Sequence, residues 1–426
     1  MTATILSLPH ELIRHVFSHI HPSTVLQYRR LSKSINECLL QRHFARQLLV
    51  RFMSAQHSTT DRQAVKHILF SLDDDPIRRD LHGLDQLDWM WFIWPQPFRE
   101  AYVETGWAGT DSLSLWIDGI VAADASVAGR LPSFRMPIPS EVGSISNLVR
   151  LQFHGLGLCG VIPESLVNLE LLETLDLSHN LLYGSIPEVL GSLVRLREVN
   201  LGSNALSGRI PASLLRNWTR LRSLVLCQNK LAGRIPAATI SCLVELEVLD
   251  LGTNQMSGPI PSEISLLGQL TVLDLHGNNF GGEIPPELGA LRHVRTLNLS
   301  QNCLNGNIPL ELGNLPSLED LVLFDNNLSG PIPETIGNLV NLQQVNLMSN
   351  NLSGGIPRDL RLCTRLVTLG LAFNGLTGPL PLELSELPRL QILAVNDTQL
   401  SGTIPRAILA MENSNLFTFQ NTMLVY

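Results

Sequence analysis

The most constraining feature of this sequence is a phrase that recurs every 24 or 25 residues. LDLSHNLLYGSIP, LDLGTNQMSGPIP and LNLSQNCLNGNIP are three copies of it. All copies share an asparagine, with a glycine four residues later and a proline seven residues later. The shared asparagines are Asn180, Asn204, Asn229, Asn254, Asn278, Asn302, Asn326, Asn350 and Asn374. A fixed period of this length predicts a solenoid, in which each repeat stacks on its neighbours to bury a common core.

Each residue type in the phrase has a physical role. The two leucines of L-x-L point inward from a short strand, because side chains alternate between the faces of a strand. The asparagine amide can satisfy backbone groups of adjacent coils that would otherwise be buried without partners. The glycine permits a turn that a Cβ would obstruct, and the Ile-Pro pair starts an extended return segment. We therefore expect a continuous parallel sheet on the order of 50 Å long for eleven repeats.

The segment NLVNLQQVNLMSNNLSGGIP resembles the plant-type leucine-rich repeat, which the phrase L-x-G-x-I-P distinguishes from other repeat classes. This resemblance covers roughly residues 138 to 424. It implies an α/β solenoid, a right-handed superhelix with the parallel sheet on its concave face, in a domain of residues 131–426. Secreted members of the family usually carry paired cysteines in caps, and these are absent here. The chain ends on LFTFQNTMLVY without a polar cap, which predicts either a truncated end or an end covered by a partner or a neighbouring copy.

Residues 1–50 have a different composition, with six Lys or Arg and two Asp or Glu. Pro9 suits the first turn of a helix, and Leu12, Ile13, Val16 and Phe17 follow at helical spacing on one face. Breaks near Pro22 and Ser32 predict three short amphipathic helices. Such a small unit makes a meagre core, so we expect an apolar face that is left for a partner.

The stretch LPHELIRHVFSHIHPSTVLQYRRLSKSINECL resembles the F-box, over about residues 5–46. One departure is Ile35, where many members have Trp. The resemblance implies that residues 1–50 are an F-box domain that binds the acidic Skp adaptor of a cullin ubiquitin ligase. It places this contact at Leu8, Pro9, Leu12, Ile13, Val16 and Phe17.

The same stretch contains His10, Glu11 and His15, which superficially suggest a zinc-protease helix. A zinc-binding helix of that type needs two histidines four residues apart on one face, with the glutamate beside them. His10 and His15 are five apart, about 140° around the helix, and no third ligand is near. We therefore predict no metal site, no other cofactor and a solvated helix face.

Residues 51–130 belong to neither pattern and predict a helical, Trp-rich linker. Trp89, Trp91, Phe92, Trp94 and Phe98 lie within ten residues. They either dock the N-terminal domain onto the solenoid or form a binding hot spot, since Trp-rich patches often anchor partners.

Charge and hydropathy exclude several classes of protein. The formal charge of -8 argues against a nucleic-acid-binding surface. No apolar stretch of about 18 residues predicts a membrane span, and the N-terminus lacks the pattern of a secretory signal. The six cysteines are scattered without disulfide or metal-knuckle spacing, which favours a reducing compartment, the cytoplasm or the nucleus. Cys242 and Cys363 replace a repeat leucine and should be small buried hydrophobes.

The outward strand positions predict where a ligand binds. Toward the N-terminal side they are acidic, with Asp250 and Asp274, and further on they become apolar. The apolar residues expected to face outward are Val322, Phe324, Met348, Ala372 and Phe373. Exposed Phe and Met on a concave sheet favour a recognition patch for a protein with an apolar segment beside basic residues. The alternative is that the array carries stray apolar residues without function.

Together these features predict a substrate-recognition subunit of a cullin-type (SCF) ubiquitin ligase. The F-box would bind the Skp adaptor and the cullin machinery, and the repeats would hold an unidentified protein target. No catalytic residue set is found, so we expect the chain not to be an enzyme. The alternative is a repeat scaffold or receptor without a role in ubiquitin transfer.

Overall fold

The computed structural model describes Glu100, the backbone of residues 112–116, residues 136–411 and residues 416–425. The expected F-box contacts at Leu8, Pro9, Leu12, Ile13, Val16 and Phe17, and the aromatic cluster from Trp89 to Phe98, lie outside these described residues. The prediction of a helical linker over residues 51–130 is wrong at Ser112–Trp116, which is a strand. The chain divides into two compact units. One comprises Met1–Leu172 with His179–Leu181, and the other Glu173–Ser178 with Leu182–Tyr426.

The described part of the first unit begins the repeat pattern. The strands Ser112–Trp116 and Arg150–His154 pair in parallel. The strand Cys159–Gly160 and the 3-10 helices Ser140–Ser144 and Glu164–Asn168 complete its described elements.

The second unit contains a parallel sheet, which we call the front sheet, made of the L-x-L segments. The central residue of each strand is a buried leucine or valine, except in the last strand, where Phe417 is half-buried, and the residues on either side of it face outward. Pairing advances by one repeat per strand, so Leu249 lies between Leu224 and Leu273. Its strands are Thr174–Asp176, Glu198–Asn200, Ser223–Val225, Val248–Asp250, Val272–Asp274, Thr296–Asn298, Asp320–Val322, Gln344–Asn346, Thr368–Gly370, Ile392–Ala394 and Leu416–Thr418.

A second row of short parallel strands follows the turn in each repeat. These strands are Leu181–Gly184, Ala205–Gly208, Lys230–Gly233, Gln255–Gly258, Asn279–Glu283, Cys303–Asn307, Asn327–Pro331, Asn351–Ser353, Thr377–Gly378, Gln399–Thr403 and Met423–Val425. One short helix then closes each coil. The 3-10 helices are Glu188–Ser192, Ser262–Leu266, Pro286–Ala290, Leu310–Asn314, Glu334–Asn338, Arg358–Leu362 and Leu382–Glu386. The α-helices are Ala212–Asn217, Ala237–Ile240 and Arg406–Leu409.

The repeated asparagines form a ladder that satisfies the backbone at the turn. The amide of Asn326 donates to the carbonyls of Leu299, at 3.0 Å, and Leu323, at 3.2 Å. Its Oδ1 accepts the N–H of Leu304 at 3.0 Å. Asn180 bonds in the same way to Phe153 in the first unit. The predicted role of the asparagine, satisfying backbone groups of adjacent coils, is therefore confirmed.

Two residues per repeat adopt a left-handed backbone at the turn. The repeat glycine was predicted to permit such a turn, and it has φ of 83° at Gly184 and 82° at Gly378. The residue before the asparagine was not predicted to do so, yet it has φ of 55° at His179 and 56° at Phe373. The chain reverses direction inward here, and this reversal fixes the conformation whatever the side chain.

Two smaller expectations are confirmed only in part. Pro187 is extended, with φ of -65° and ψ of 128°, but the 3-10 helix Glu188–Ser192 starts at the next residue. The extended return segment is therefore much shorter than the sequence suggested. Cys363 is fully buried, whereas Cys242 is half-buried. Burial raises the pKa of the Cys363 thiol to about 11, so it remains a neutral packing residue.

Candidate protein-binding face

The apolar patch, which we define as Val322, Phe324, Met348 and Phe373, lies on the front sheet of the second unit. Val322 ends the strand Asp320–Val322. Phe324 and Met348 occupy the same position in two consecutive repeats, two residues before the asparagine. Val322, Phe324 and Met348 are half-buried, while Phe373 is 51 % exposed. These four apolar side chains, on three neighbouring coils, are thus at least partly exposed, and their role in target binding stays a prediction.

Small residues beside the patch shape its surface. A Cβ at Gly370 would lie 3.1 Å from the sulfur of Met348, so the glycine leaves the space into which Met348 folds. Ala372 is fully buried, and its expected outward exposure was wrong. Its equivalents in the adjacent coils are Met348 and Asn396, both larger, and we attribute its burial to these taller neighbours. The surface at Gly370 and Ala372 is therefore lower than the side chains around it.

Phe373 is held in an unusual backbone conformation. At φ of 56° it occupies the left-handed region, which disfavours bulky side chains by about 1–2 kcal/mol. Its N–H donates to the carbonyl of Asn396 at 3.0 Å, and its carbonyl accepts the N–H of Asn350 at 3.2 Å. Ser349 and Asp325, which are polar, take this place in the two preceding coils. The backbone conformation is common to all coils, so only the exposure of the aromatic ring favours a binding role.

Acidic side chains border the apolar patch, a feature that the sequence analysis did not single out here. Asp320 accepts a hydrogen bond from the Thr296 hydroxyl at 3.3 Å, and burial raises the pKa of its carboxyl. Asp325 is exposed. Asp397 is half-buried, and the amides of Asn421 and Asn396 lower the pKa of its carboxyl.

The charged side chains named beside the apolar patch therefore carry one sign of charge. Within the described front strands from Asp320–Val322 to Leu416–Thr418, Lys and Arg do not occur. A partner with apolar residues flanked by Lys or Arg complements such a face.

A second set of polar residues, the acidic zone, contains Asp250, Asp274 and His276. The His276 ring lies within 2.6 Å of Asp274 Oδ1 through Nδ1, and its Nε2 lies 3.0 Å from the Thr253 hydroxyl. A Cβ at Gly252 would overlap this ring, so the glycine is needed for the arrangement. The hydrogen bond with Asp274 raises the pKa of His276, although burial opposes it. Target binding at the acidic zone stays a prediction, and His276 neutralises part of the zone's charge when it is protonated.

Cys227 interacts with Asp250 of the acidic zone, and a cysteine in such a place raises the question of nucleophilic chemistry. Burial, followed by the charge of Asp250 and a hydrogen bond to it, raises the pKa of Cys227 to about 12. Burial in turn raises the pKa of Asp250. The Cys227 thiol is therefore protonated at neutral pH and is a poor nucleophile. Among the residues that the structure describes, there is no group of three or more His, Cys, Asp or Glu that could hold a metal ion.

Two ion pairs formed by arginines lie at the edge of the front sheet rather than on its outward strand positions. Arg197 pairs with Glu173 at 3.3 Å, and Arg295 pairs with Glu319 at 3.2 Å. These arginines precede their strands, so they neutralise acids at the same edge. The charge left on the outward strand positions is mainly that of the aspartates.

The comparisons with known proteins agree with this architecture. A leucine-rich repeat region model matches residues 204–363, and a Leucine Rich Repeat model matches residues 171–193. An F-box domain model matches residues 5–46. A search of curated proteins finds no match.

Solved structures with the same fold include receptors and a bacterial protein. A TDR receptor is 33% identical, with a TM-score of 0.66 over 68% of this chain and 50% of that chain. The Arabidopsis receptor kinase HAESA, in complex with the peptide hormone IDA and the co-receptor SERK1, is 32% identical, with a TM-score of 0.63 over 68% and 52%. The Leptospira interrogans LRR protein LIC12759 is 29% identical, with a TM-score of 0.54 over 68% and 76%. The chain thus spans about half the length of the receptor structures.

The repeated strands, the asparagine ladder and these matches define a leucine-rich-repeat solenoid. The F-box match at the N-terminus adds the second part, and the chain is an F-box/leucine-rich-repeat protein. Domains of these two kinds are typically non-catalytic adaptor modules. Across the described residues, every helix is too short or too polar to span a bilayer.

Proposed function

We propose that this chain is the substrate-recognition subunit of a cullin-type (SCF) ubiquitin ligase, acting in the cytoplasm or nucleus. Its F-box binds the Skp adaptor, and its front sheet binds a protein target. The chain itself catalyses nothing. It raises the effective concentration of the target at the ligase, which transfers the ubiquitin.

The observation that carries this proposal is the presence of two recognition features in one chain. The F-box match covers residues 5–46, and the apolar patch lies on the front sheet far along the sequence. An adaptor needs one surface for the ligase and another for the target. The exposed ring of Phe373 supports the second surface.

The chemistry of the target follows from the front sheet. Apolar side chains fit over Phe324, Met348 and Phe373, and positively charged side chains fit beside Asp320 and Asp325. We therefore propose a target segment in which apolar residues alternate with, or adjoin, Lys or Arg. The acidic zone at Asp250 and Asp274 offers a second place for basic residues of the same target.

Co-purification of the full chain with the Skp adaptor tests the ligase role. The F-box resemblance places Leu12 and Phe17 in the adaptor contact, so Leu12→Asp with Phe17→Asp should abolish co-purification. His15→Asp with Ser18→Asp is the matched control, because it adds the same number of charges on the opposite face of the expected helix, which we expect to be solvated. Loss of adaptor with the control alone, or no adaptor with the native chain, would contradict the proposal.

The second candidate is a repeat scaffold or receptor without a role in ubiquitin transfer. Its support is the similarity to receptor structures, one of which is described in complex with a peptide hormone. In that case the front sheet would bind its ligand while the Skp adaptor failed to co-purify. The adaptor experiment therefore distinguishes the two candidates.

A further inference from the structure

A strongly basic segment interrupts the acidic chain. Residues 199–244 contain six basic residues and no Asp or Glu, although the whole chain has a formal charge of -8. The basic residues are Arg209, Arg216, Arg220, Arg222, Lys230 and Arg234. Arg222 lies within 3.9 Å of Glu245 and Glu247. Among the residues that the structure describes, no ion pair involves Arg209 or Arg234.

Arg209 and Arg234 occupy equivalent places on consecutive coils, directly after the glycine that ends a second-row strand. A Cβ at Gly233 would lie 3.1 Å from Cγ of Arg209, and one at Gly258 would lie 2.9 Å from Cγ of Arg234. Each arginine stem therefore packs on the bare glycine of the next coil, with its guanidinium group exposed. Successive coils are about 4.8 Å apart, so the two guanidinium groups belong to neighbouring coils.

These arginines line an open groove of 640 Å³. Ile210, Pro211 and Pro236 supply an apolar part of its lining, and Glu188 supplies its acidic group. The volume exceeds that of a single inorganic anion and is in the range that holds a short peptide segment. Guanidinium forks match carboxylates in a bidentate geometry, and the prolines offer contact for an apolar side chain.

We propose that this groove, on a different surface from the apolar patch, binds a protein segment that carries adjacent acidic residues beside an apolar residue. Two carboxylates of the segment pair with Arg209 and Arg234, and the apolar side chain lies against Pro211 and Pro236. Glu188 repels carboxylates at the other side of the groove and so limits where the acidic pair can bind. The equivalent place in the next coils is Pro259 and then Glu283, so the site is confined to two coils.

The groove binds acidic residues in this proposal, whereas the front sheet is proposed to bind basic residues. One partner with an acidic segment and another with a basic segment could thus bind the same chain. The site does not depend on the F-box, so its test is separate from that of the ligase role.

A fluorescein-labelled octapeptide, Leu-Glu-Glu-Leu repeated twice, provides the probe, and its anisotropy is measured with the full-length chain. We expect saturable binding that weakens with salt, and at least a tenfold loss of affinity for the same peptide with Gln in place of Glu. Arg209→Glu with Arg234→Glu should also weaken binding at least tenfold. Arg209→Gln with Arg234→Gln retains much of the stem packing, so a similar loss with an unchanged Tm would exclude misfolding as the cause.

Arg216→Glu with Arg220→Glu is the matched control, because it makes the same charge change in the same basic segment but outside the groove lining. This control should bind the peptide within about twofold of the native chain, and Glu188→Gln should bind it more tightly. Equal losses in the control and in the groove variant would show non-specific attraction and overturn the proposal. Binding only of a phosphoserine version, with competition by inorganic phosphate, would also overturn it in favour of a phosphate site.

Discussion

Replacing Phe373 with Asn separates target binding from folding more cleanly than any other change on the front sheet. Asn tolerates the left-handed backbone, and φ at this residue is 56°. The substitution removes about half the burial of a Phe side chain but also relieves backbone strain. These two effects oppose each other, so we expect the free energy of unfolding to change by no more than about 1 kcal/mol.

The loss of target affinity follows from the exposed area. The Phe373 residue is 51 % exposed, which for a ring of roughly 200 Å² leaves about 100 Å² for a partner to cover. At about 25 cal/mol per Å², full coverage contributes about 2.5 kcal/mol. Since 1.4 kcal/mol is about tenfold in Kd, the variant should bind about sixtyfold more weakly.

The assay first requires the target, which affinity purification with the proteasome blocked should recover. Titration calorimetry with the purified target then measures Kd for the native chain and for Phe373→Asn. Leu382→Asn is the control, because Leu382 is also apolar and 57% exposed but lies in the 3-10 helix Leu382–Glu386, away from the front sheet. Native affinity in Phe373→Asn, or an equal loss in Leu382→Asn, would refute the assignment of the apolar patch.

Three further predictions concern the solenoid and the acidic zone. Asn326→Ala leaves buried backbone groups without partners and should lower the free energy of unfolding by about 2–4 kcal/mol in urea titrations; a loss below about 0.5 kcal/mol would contradict the ladder. Gly289→Ala places a methyl group against the Glu311 carbonyl and should destabilise by about 1–3 kcal/mol. In Gly268→Ala the added methyl group meets no atom within 4 Å, so this variant should instead raise Tm. Equal changes in Tm for Gly289→Ala and Gly268→Ala would contradict the close packing at Gly289. By NMR titration the His276 pKa should lie above its usual value, and Asp274→Asn should lower it. Because the folded-state pKa is raised, the stability that His276 contributes is present at low pH and is lost as pH rises through that pKa; unchanged titration in Asp274→Asn would refute the pairing.

Much of the fold could be predicted because a repeat applies each local rule many times. The spacing of Asn326 from Gly330 and Pro333 indicated strand, turn and return, and the structure has them at those residues. What could not be read from the spacing was the left-handed residue before each asparagine. Its conformation is imposed by bonds between coils, and residues as different as Thr253 and Phe373 adopt it.

The candidate site was predicted less completely, because exposure depends on neighbouring side chains. Periodicity alone placed Ala372 outward, yet the residue is fully buried. The acids beside the patch, Asp320 and Asp325, could have been found by comparing equivalent positions across repeats. Arg209 and Arg234 likewise share one repeat position, but only the structure places them along a groove.

The central claim, that the front sheet holds a protein which the F-box presents for modification, is tested by ubiquitin transfer to the recovered target in a reconstituted reaction. The native chain, with Skp adaptor, cullin module, ubiquitin and ATP supplied, should support transfer. Both Leu12→Asp with Phe17→Asp and Phe324→Asp with Phe373→Asp should lose transfer, and Leu382→Asn should retain it. Full transfer to the target with the Phe324 and Phe373 variant would contradict the claim.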